Sequence, residues 1–369
     1  MAASLFLPLD LGPISLSNRI VVSPMCQYSS VEGTPGDWHR AHLGGLALSG
    51  AGMMTIEATH VSADGRITPG CAGLYSDENE RALGGVLAMI RNISPIKVAL
   101  QLGHAGRKGS TNRPWDLPVS LPAQQGAWPT IAPSALPFAE GWHTPREADP
   151  DDIAQVTADF VSSARRAARL ELDALEIHMA HGYLLNQFLS GLTNHRQDRY
   201  GGSVENRFRL PLEIFKAVRA VWPADRALGA KIPGSDYADG GFDAAQAIAL
   251  AAELKKLGAD YVTVSGGGLV STQRMPAQMP PNLSSAVEVR GGAAITTAVV
   301  GFINDAQQAN AIIEQGGVDL VVLARAFLFN PRWAWHAAAA LGVTVPYPHQ
   351  YERANPANWP PAAKLNVRN

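Results

Sequence analysis

Short, continuous runs of apolar and β-branched residues recur along this chain, each bounded by glycine, proline or polar residues. Runs of this length predict β-strands, and their lack of polar alternation indicates strands that are covered on both faces. The predicted strands are 19–25, 52–59, 96–102, 173–179, 227–233, 260–266, 294–300 and 318–324.

Segments with helical periodicity separate these strands. They are 38–49, 77–91, 150–170, 204–221, 243–257, 305–315 and 331–341. Several begin at an acidic or serine residue that is suited to cap a helix: Asp151, Ser203, Asp243 and Asp305. Strands that alternate with helices predict a parallel sheet covered by helices. Eight such units favour an α/β fold with a single (β/α)8 TIM barrel, and the alternative is an open, doubly wound sheet.

The predicted barrel occupies residues 1–342 as one domain. It includes a long excursion at 103–149, rich in proline, glycine and tryptophan, which we expect to lie over one face of the barrel. The remaining residues, 343–369, form a C-terminal tail that follows the last helix and is not expected to add a domain.

Composition narrows the class of protein. Hydrophobic residues make up 46% and charged residues 17% of the 369 positions, which is enough apolar material for a large core. The net charge of -2 gives no reason to expect binding to nucleic acid or to a membrane surface. The two cysteines, Cys26 and Cys71, do not provide a disulfide framework and fit a reducing compartment. With no signal-peptide pattern at the N-terminus, we expect a cytoplasmic enzyme.

Polar, cationic and glycine residues gather where the predicted strands end. Since the strands of such a barrel are parallel, these ends meet on the C-terminal face, where barrel active sites lie. In strand order the residues are Ser23, Pro24, Met25, Cys26, Gln27 and Tyr28, then Ala58, then Gln101 and His104, then His178, His181 and Tyr183, then Lys231, Ser265, Gly301, and finally Ala324 and Arg325.

The sequence His178-Met-Ala-His181-Gly-Tyr183 directly follows a predicted buried strand. Two imidazole N–H groups at nearly the same height can hold one oxyanion or carbonyl oxygen, and a phenol that is protonated at neutral pH can supply a proton. Imidazole pairs also bind zinc, so a metal-dependent hydrolase on the same barrel is the alternative function. Met179 stands where a zinc-binding helix would carry glutamate, which argues against a metal.

Cys26 remains open between three interpretations. It is a small core residue, a nucleophile, or a weak S–H donor to a cofactor ring.

Gly301 and Arg325 end the last two predicted strands, where barrels often bind phosphate. Glycine lets the backbone approach an anion, and arginine offers a bidentate fork. The apolar neighbours of Arg325 favour a phosphate partner over a surface salt bridge. The chain has neither a dinucleotide-binding glycine motif after a strand nor a phosphate-binding loop of the Walker type.

Longer motifs occur in a fixed order from about residue 5 to residue 353. They are NRI at 18–20, PMCQY at 24–28, DWH at 37–39, GRITPGC at 65–71, QLGHAGRK at 101–108, HMAHGYLLNQFLS at 178–190, NHR at 194–196, DRYGGS at 198–203 and ENR at 205–207. Together they resemble the old yellow enzyme family of FMN-dependent ene-reductases, in particular the bacterial branch that includes xenobiotic reductase A.

The resemblance implies noncovalent FMN at the C-terminal face and NADPH or NADH as reductant. The implied cofactor contacts are Ser23, Pro24, Met25, Cys26 (which tunes the potential), Ala58, Gln101, Lys231, Gly301, Ala324 and Arg325. Lys231 replaces the arginine of most relatives; it keeps the charge but loses the bidentate fork. Related flavoproteins that demethylate amines or reduce dienoyl-CoA add a domain and a cysteine-ligated cluster, and two cysteines argue against them.

The resemblance also implies a reaction. Flavin N5 passes hydride to the β-carbon of an activated alkene such as an enone, enal, maleimide or nitroalkene. His178 and His181 bind the substrate oxygen, Tyr28 closes over it and Tyr183 protonates the α-carbon. The implied assembly is a homodimer or homotetramer, in which the tail places Arg353 in a neighbouring subunit's site. Val300 and Gln350 replace tryptophans of xenobiotic reductase A, so we expect a differently shaped pocket.

Overall fold

The computed structural model describes residues 3–117, 119–277 and 279–361. The end of the predicted tail, 362–369, lies outside the described residues. The strands, in chain order, are β1 (Leu9–Leu11), β2 (Ile14–Leu16), β3 (Ile20–Val22), β4 (Met53–His60), β5 (Lys97–Gly103), β6 (Ile131–Ala132), β7 (Arg146–Glu147), β8 (Ala174–His178), β9 (Ala227–Pro233), β10 (Tyr261–Ser265), β11 (Thr296–Val300) and β12 (Leu320–Leu323).

Eight of these described strands close into a parallel barrel in the order β10-β11-β12-β3-β4-β5-β8-β9, and β9 pairs back onto β10. The predicted TIM barrel is confirmed, and each predicted strand overlaps one of these eight. The open-sheet alternative is wrong because the first and last strands in space are hydrogen-bonded to each other.

Helices pack around the barrel. They are α1 (Asp37–Ala47), α2 (Asp77–Ile93), α3 (Pro150–Arg169), α4 (Leu184–Leu189), α5 (Val204–Arg219), α6 (Ala244–Lys256), α7 (Leu283–Ala293), α8 (Ala306–Glu314), α9 (Arg325–Phe329) and α10 (Trp333–Ala340). The sequence pattern did not predict α4, α7 and α9. α7 has almost no amphipathic pattern and contains Gly291 and Gly292, and α4 and α9 are shorter than two turns.

One predicted helix cap is wrong. Asp149, not Asp151, caps α3: its carboxylate accepts the backbone N–H groups of Asp151 and Asp152, each at 2.9 Å. In return, the Asp152 carboxylate accepts the Asp149 backbone N–H at 2.8 Å, and Pro150 occupies the first helical position. The reciprocal capping box, with proline directly after the cap, therefore places the cap two residues before the predicted one, while the helix starts at Pro150 as predicted. Ser203, Asp243 and Asp305 cap their helices as predicted.

The barrel interior is filled by alternate residues of its strands, and the β1–β2 hairpin covers its N-terminal end with Leu11, Ile14 and Leu16. The largest interior side chain is Tyr261. It fits because β9 carries Gly229 opposite it: a Cβ there would stand 2.5 Å from Tyr261 Cζ.

We therefore expect Gly229→Ala to destabilise the barrel by about 1–3 kcal/mol, the usual cost of overpacking a close-packed core. Gly291→Ala is the matched control, since a Cβ there meets no atom within 4 Å and alanine favours a helix. Urea unfolding measures both. Equal stability of the two variants would contradict the packing explanation.

The tail folds back onto the last helix. Tyr347 stacks on Trp335 of α10 with ring centroids 4.1 Å apart, and Tyr351 meets the same indole edge-on at 5.6 Å. Arg353 lies in the 3-10 helix His349–Ala354 and is exposed. Across the described ranges, no helix combines the length and hydrophobicity that crossing a bilayer requires.

Candidate active site

The predicted site residues follow one another around the C-terminal face of the barrel. The strand register pairs Ala58 with Gln101 and His178 with Lys231. Ser23 donates its backbone N–H to Leu323 at the end of β12, next to Ala324. The barrel thus brings the residues predicted on separate strands onto one rim. Arg353 lies in the tail, in the 3-10 helix whose Tyr351 contacts Trp335 of α10. The excursion contributes Trp115, whose ring packs edge-on against Tyr28 at 5.8 Å.

His178 and His181 lie at the end of β8 and directly after it. His181 has a φ of +60°, and this left-handed turn brings its ring edge-on to that of His178, with centroids 5.1 Å apart. The next residue must be glycine, because a Cβ on Gly182 would overlap the Gly268 carbonyl oxygen. Lys108 ties the turn down by donating from Nζ to the carbonyl oxygens of His181 and Gly268, both at 2.9 Å.

Both imidazoles are neutral. Burial is the largest cause that lowers the pKa of each ring, to about 3 for His181 and well below the usual value for His178. The ammonium groups of Lys231 and Lys108 lower both further, because they repel a second positive charge. A neutral imidazole has one N–H donor and one acceptor, so each ring can donate a single hydrogen bond.

Tyr183 faces His178, with ring centroids 5.1 Å apart. Burial raises the pKa of its phenol well above the usual value, so the hydroxyl stays protonated at neutral pH. Among the described residues its hydroxyl has no hydrogen-bond partner. The Lys108 ammonium lies over the same ring, 5.1 Å from the centroid, where it stabilises negative charge.

Tyr28, Tyr183 and Cys26 pack together against Ile67 and Cys71. Burial raises the pKa of the Cys26 thiol well above its usual value, so Cys26 is a thiol and not a thiolate. The interpretation of Cys26 as an activated nucleophile therefore loses support, and the thiol remains a packing group or a weak donor.

A buried network of polar side chains lies inside the barrel. Gln101 donates from Nε2 to Glu176 Oε1 at 2.7 Å, and Thr263 donates to Glu176 Oε2 at 2.6 Å. Lys231 is 2% exposed, and in the described part of the chain its ammonium has neither hydrogen bond nor ion pair. Burial lowers the Lys231 pKa, while the Glu176 carboxylate favours the charged form. A buried cation without a partner is costly, so this position calls for a ligand with an acceptor or negative charge.

Gly301 and Arg325 follow the ends of two adjacent strands, β11 and β12. Gly301 has a φ of +122°, a conformation open to glycine only, and the Arg325 guanidinium lies 4.6 Å from the ring centroid of Phe302. The prediction that Arg325 sits in apolar surroundings is wrong: its side chain is exposed, because α9 begins at this residue and turns it outward. It has no ion pair among the described residues, so it remains free to meet an anion.

Two buried carboxylates of this site were not predicted. Glu176 holds Gln101, and Glu57 accepts the Gln27 N–H at 2.9 Å and pairs with His39 Nε2 at 3.2 Å, which fixes the loop that carries Cys26 and Tyr28. The sequence signal that could have identified both residues is a single carboxylate inside each otherwise apolar strand. A lone carboxylate is rarely buried unless it has partners, so such a residue indicates a buried polar contact.

The metal alternative finds little support in this geometry. Within the described ranges, no group of three or more His, Cys, Asp or Glu side chains is placed to hold a metal ion. His181 Nε2 is already 2.6 Å from Ser265 Oγ, and two lysines lie near the imidazole pair.

Buried neutral histidines also make stability depend on pH. The pKa is about 4 for His60 and His104 and about 3 for His181, and that of His178 is lowered as well. In the unfolded chain each returns to about 6.5. Between these values the unfolded state binds more protons, so stability is full above about pH 6.5 and falls as pH drops.

We expect the free energy of unfolding to decrease from pH 7 to pH 5, by up to ~1.4 kcal/mol per pH unit for each histidine. Urea titrations at the two pH values measure it. His60→Gln should reduce the slope, and a wild-type stability that stays constant over this interval would contradict neutral burial.

Comparisons with known proteins identify the family of this chain. Residues 4–342 match the NADH:flavin oxidoreductase / NADH oxidase family. An NADPH dehydrogenase of Geobacillus sp. (strain WCH70) is 39% identical over 357 residues, which cover 96% of this chain and 99% of that protein. The NADPH dehydrogenase of Bacillus subtilis (strain 168) is 37% identical over 355 residues, with 96% and 99% covered.

Solved structures show the same barrel. Morphinone reductase in complex with tetrahydroNAD superposes with a TM-score of 0.77 at 29% identity, covering 94% of each chain. A 2-naphthoyl-CoA reductase superposes with a TM-score of 0.82 at 21% identity over 53% of its length, which shows a shared fold alone.

The family match spans nearly the whole barrel and includes every strand that carries a predicted site residue. The chain therefore belongs to the NADH:flavin oxidoreductase / NADH oxidase family, the old yellow enzyme family, and is an NAD(P)H:flavin oxidoreductase.

Proposed function

We propose that this enzyme reduces activated C=C bonds with NAD(P)H, using FMN held at the C-terminal face of the barrel. The observation that carries the proposal is a neutral imidazole pair beside a protonated phenol, whose hydroxyl has no hydrogen-bond partner among the described residues. The His178 and Tyr183 rings are 5.1 Å apart. On its motifs we assign the chain to the bacterial branch that includes xenobiotic reductase A.

The residues present fit FMN. The buried Lys231 ammonium would meet the pyrimidine end of the ring, and Gln101, whose Nε2 is held by Glu176, keeps its carboxamide oxygen for a ring N–H. Ser23, Pro24, Met25, Cys26 and Ala58 would flank the ring. Gly301, Ala324 and Arg325 would hold the phosphate, because Gly301 has a backbone conformation open to glycine only and Arg325 has no ion pair among the described residues.

When bound and reduced by NAD(P)H, FMN would supply the hydride that the β-carbon takes up. This chain's residues do the rest. His178 and His181 donate to the oxygen that is conjugated with the alkene and draw electron density from the β-carbon. Tyr183 delivers a proton to the α-carbon, and the Lys108 ammonium over its ring stabilises the phenolate that remains.

The proposed substrate class follows from the neutral state of the two donors, His178 and His181. An uncharged pair of N–H groups suits the oxygen of an enone, enal, maleimide or nitroalkene. Tyr28 and Trp115 would close over such a substrate, since both rings lie at this edge of the site. Val300, at the end of β11, would leave room there.

Spectroscopy of the purified enzyme tests the proposal. We expect a visible flavin absorption band that bleaches under anaerobic conditions with NADPH or NADH and returns when an enone is added. The relatives' names favour NADPH. A colourless protein with stoichiometric zinc and hydrolase activity would contradict the flavin proposal and favour the alternative.

Lys231→Met should weaken FMN binding by about 10–100-fold, the usual cost of losing a charged hydrogen bond. Fluorescence titration of the apoprotein with FMN measures this affinity. Lys231→Arg is the matched control and should bind nearly as the wild type does, since it keeps the charge. Unchanged affinity of the methionine variant would refute the cofactor role of Lys231.

We also propose that two copies of the chain complete each other's sites. Arg353 is exposed on the tail and forms no hydrogen bond or ion pair in the part of the chain that is described. Arg353→Ala should raise KM for the alkene without changing FMN content, and the wild type should be a dimer or tetramer by light scattering. A fully active monomer would contradict this assembly.

A further inference from the structure

The hydrogen bonds around the two imidazoles decide which ring nitrogens can donate to a substrate. The Ala180 backbone N–H donates to His178 Nδ1 at 3.3 Å. A neutral ring whose Nδ1 accepts must carry its proton on Nε2. The backbone therefore fixes the useful tautomer of His178, with no help from a side chain.

His181 is not fixed in this way. Its Nδ1 lies 3.3 Å from His178 Nε2, so the two nitrogen atoms are close enough to face a single ligand oxygen. One oxygen can accept from both rings only if His181 carries its proton on Nδ1. Its Nε2 must then accept a hydrogen bond, or a buried acceptor is left without a partner at a cost of about 1–3 kcal/mol.

Ser265 is the one described residue that contacts this nitrogen. Its Oγ lies 2.6 Å from His181 Nε2, and its side chain is 4% exposed at the end of β10. A hydroxyl can donate or accept by rotating about its C–O bond. Without substrate, His178 Nε2–H donates to His181 Nδ1 and His181 Nε2–H donates to Ser265 Oγ. When an oxygen displaces the contact between the two rings, His181 can change tautomer by releasing its Nε2 proton to water and taking up a proton from water at Nδ1. Ser265 can then turn and donate to Nε2.

We propose that Ser265 is a positioning residue that sets the tautomer of His181, so that Nδ1–H, together with Nε2–H of His178, faces the substrate oxygen. The inference rests on the proposed function, because it assumes that this oxygen binds between the two rings. Protonating His181 fully would also provide Nδ1–H, but burial and the charges of Lys231 and Lys108 hold its pKa at about 3. Donation from the Ser265 hydroxyl to Nε2 is therefore the remaining way to keep the His181 proton on Nδ1.

The test uses the FMN-loaded enzyme and 4-hydroxybenzaldehyde, a phenol whose oxygen we expect between the two imidazoles. Ser265→Ala should raise its Kd by about 10–100-fold, the equivalent of about 1.4–2.8 kcal/mol. The long-wavelength band of the phenol–flavin complex measures this Kd. FMN content and the rate of flavin reduction by NADPH should stay as in the wild type.

The Ser265→Thr variant distinguishes loss of the hydroxyl hydrogen bond from a change in side-chain packing. It keeps the O–H group and should restore at least part of the affinity, whereas equal losses in the alanine and threonine variants would overturn the inference. Nitrogen-15 NMR of the wild type gives an answer that does not depend on any variant. A protonated Nδ1 on His181 in the phenol complex supports the inference, and a protonated Nε2 overturns it.

Failure of the proposed function has a different signature. A wild-type enzyme that does not bind the phenol would contradict substrate binding between the two rings, and with it the role of Ser265. A wild type that binds normally, with an alanine variant that binds equally well, would overturn only the role of Ser265.

Discussion

Tyr183→Phe should slow alkene reduction by about 10²–10⁴-fold, the range that a positioned proton donor contributes. The substitution removes one oxygen that has no hydrogen-bond partner among the described residues, so packing and fold should persist. Flavin reduction by NAD(P)H needs no proton from this phenol and should stay nearly unchanged. Anaerobic stopped-flow measurement of the two half-reactions separates these effects.

Tyr200→Phe is a matched control for this result. Tyr200 donates its hydroxyl to Glu213 at 3.2 Å on the outside of the barrel, so its loss should change neither half-reaction. Because burial raises the Tyr183 pKa, the rate of the alkene half-reaction should also show no loss from phenol ionisation up to about pH 10. Equal slowing of both half-reactions in Tyr183→Phe would refute the proton-donor role.

Replacing His178 and His181 together by alanine should weaken binding of 4-hydroxybenzaldehyde and raise the barrier to alkene reduction. Loss of one donor at an oxyanion commonly costs about 10²–10³ in rate, and the pair should cost at least that much. Each single variant is expected to show most of the loss, since the rings bind one atom and their effects are not independent.

The control for the double variant is His336→Ala. His336 lies on α10 and bonds Asn330 on the outer surface, so phenol binding should be unaffected. Retention of the long-wavelength phenol band in the double variant would show that the pair does not hold the substrate oxygen.

The barrel could be predicted from sequence because its signal is repeated. Each apolar strand followed by a segment of helical periodicity predicts one more βα unit, so an error in one unit does not change the predicted fold. The cluster of His178, Lys231, Gly301 and Arg325 follows from that repetition, since all parallel strands end on one face. α7 was missed because its sequence lacks a polar face and contains two adjacent glycines.

The remaining features depend on local geometry that the sequence does not reveal. The exposure of Arg325 depends on α9 beginning at that residue, which five residues of helix do not signal. Glu57 and Glu176 interrupt apolar strands, and only the partners that the barrel brings to them explain their burial. The contact between Ser265 and His181 joins residues that are 84 positions apart, and its meaning depends on which nitrogen faces which oxygen.

The most direct test mixes anaerobic, NADPH-reduced enzyme with 2-cyclohexenone and follows the flavin spectrum and the product together. We expect the flavin to reoxidise and one cyclohexanone to form for each flavin reoxidised. A flavin that stays reduced in the presence of excess enone, or that reoxidises without forming the saturated ketone, would contradict the proposed reaction.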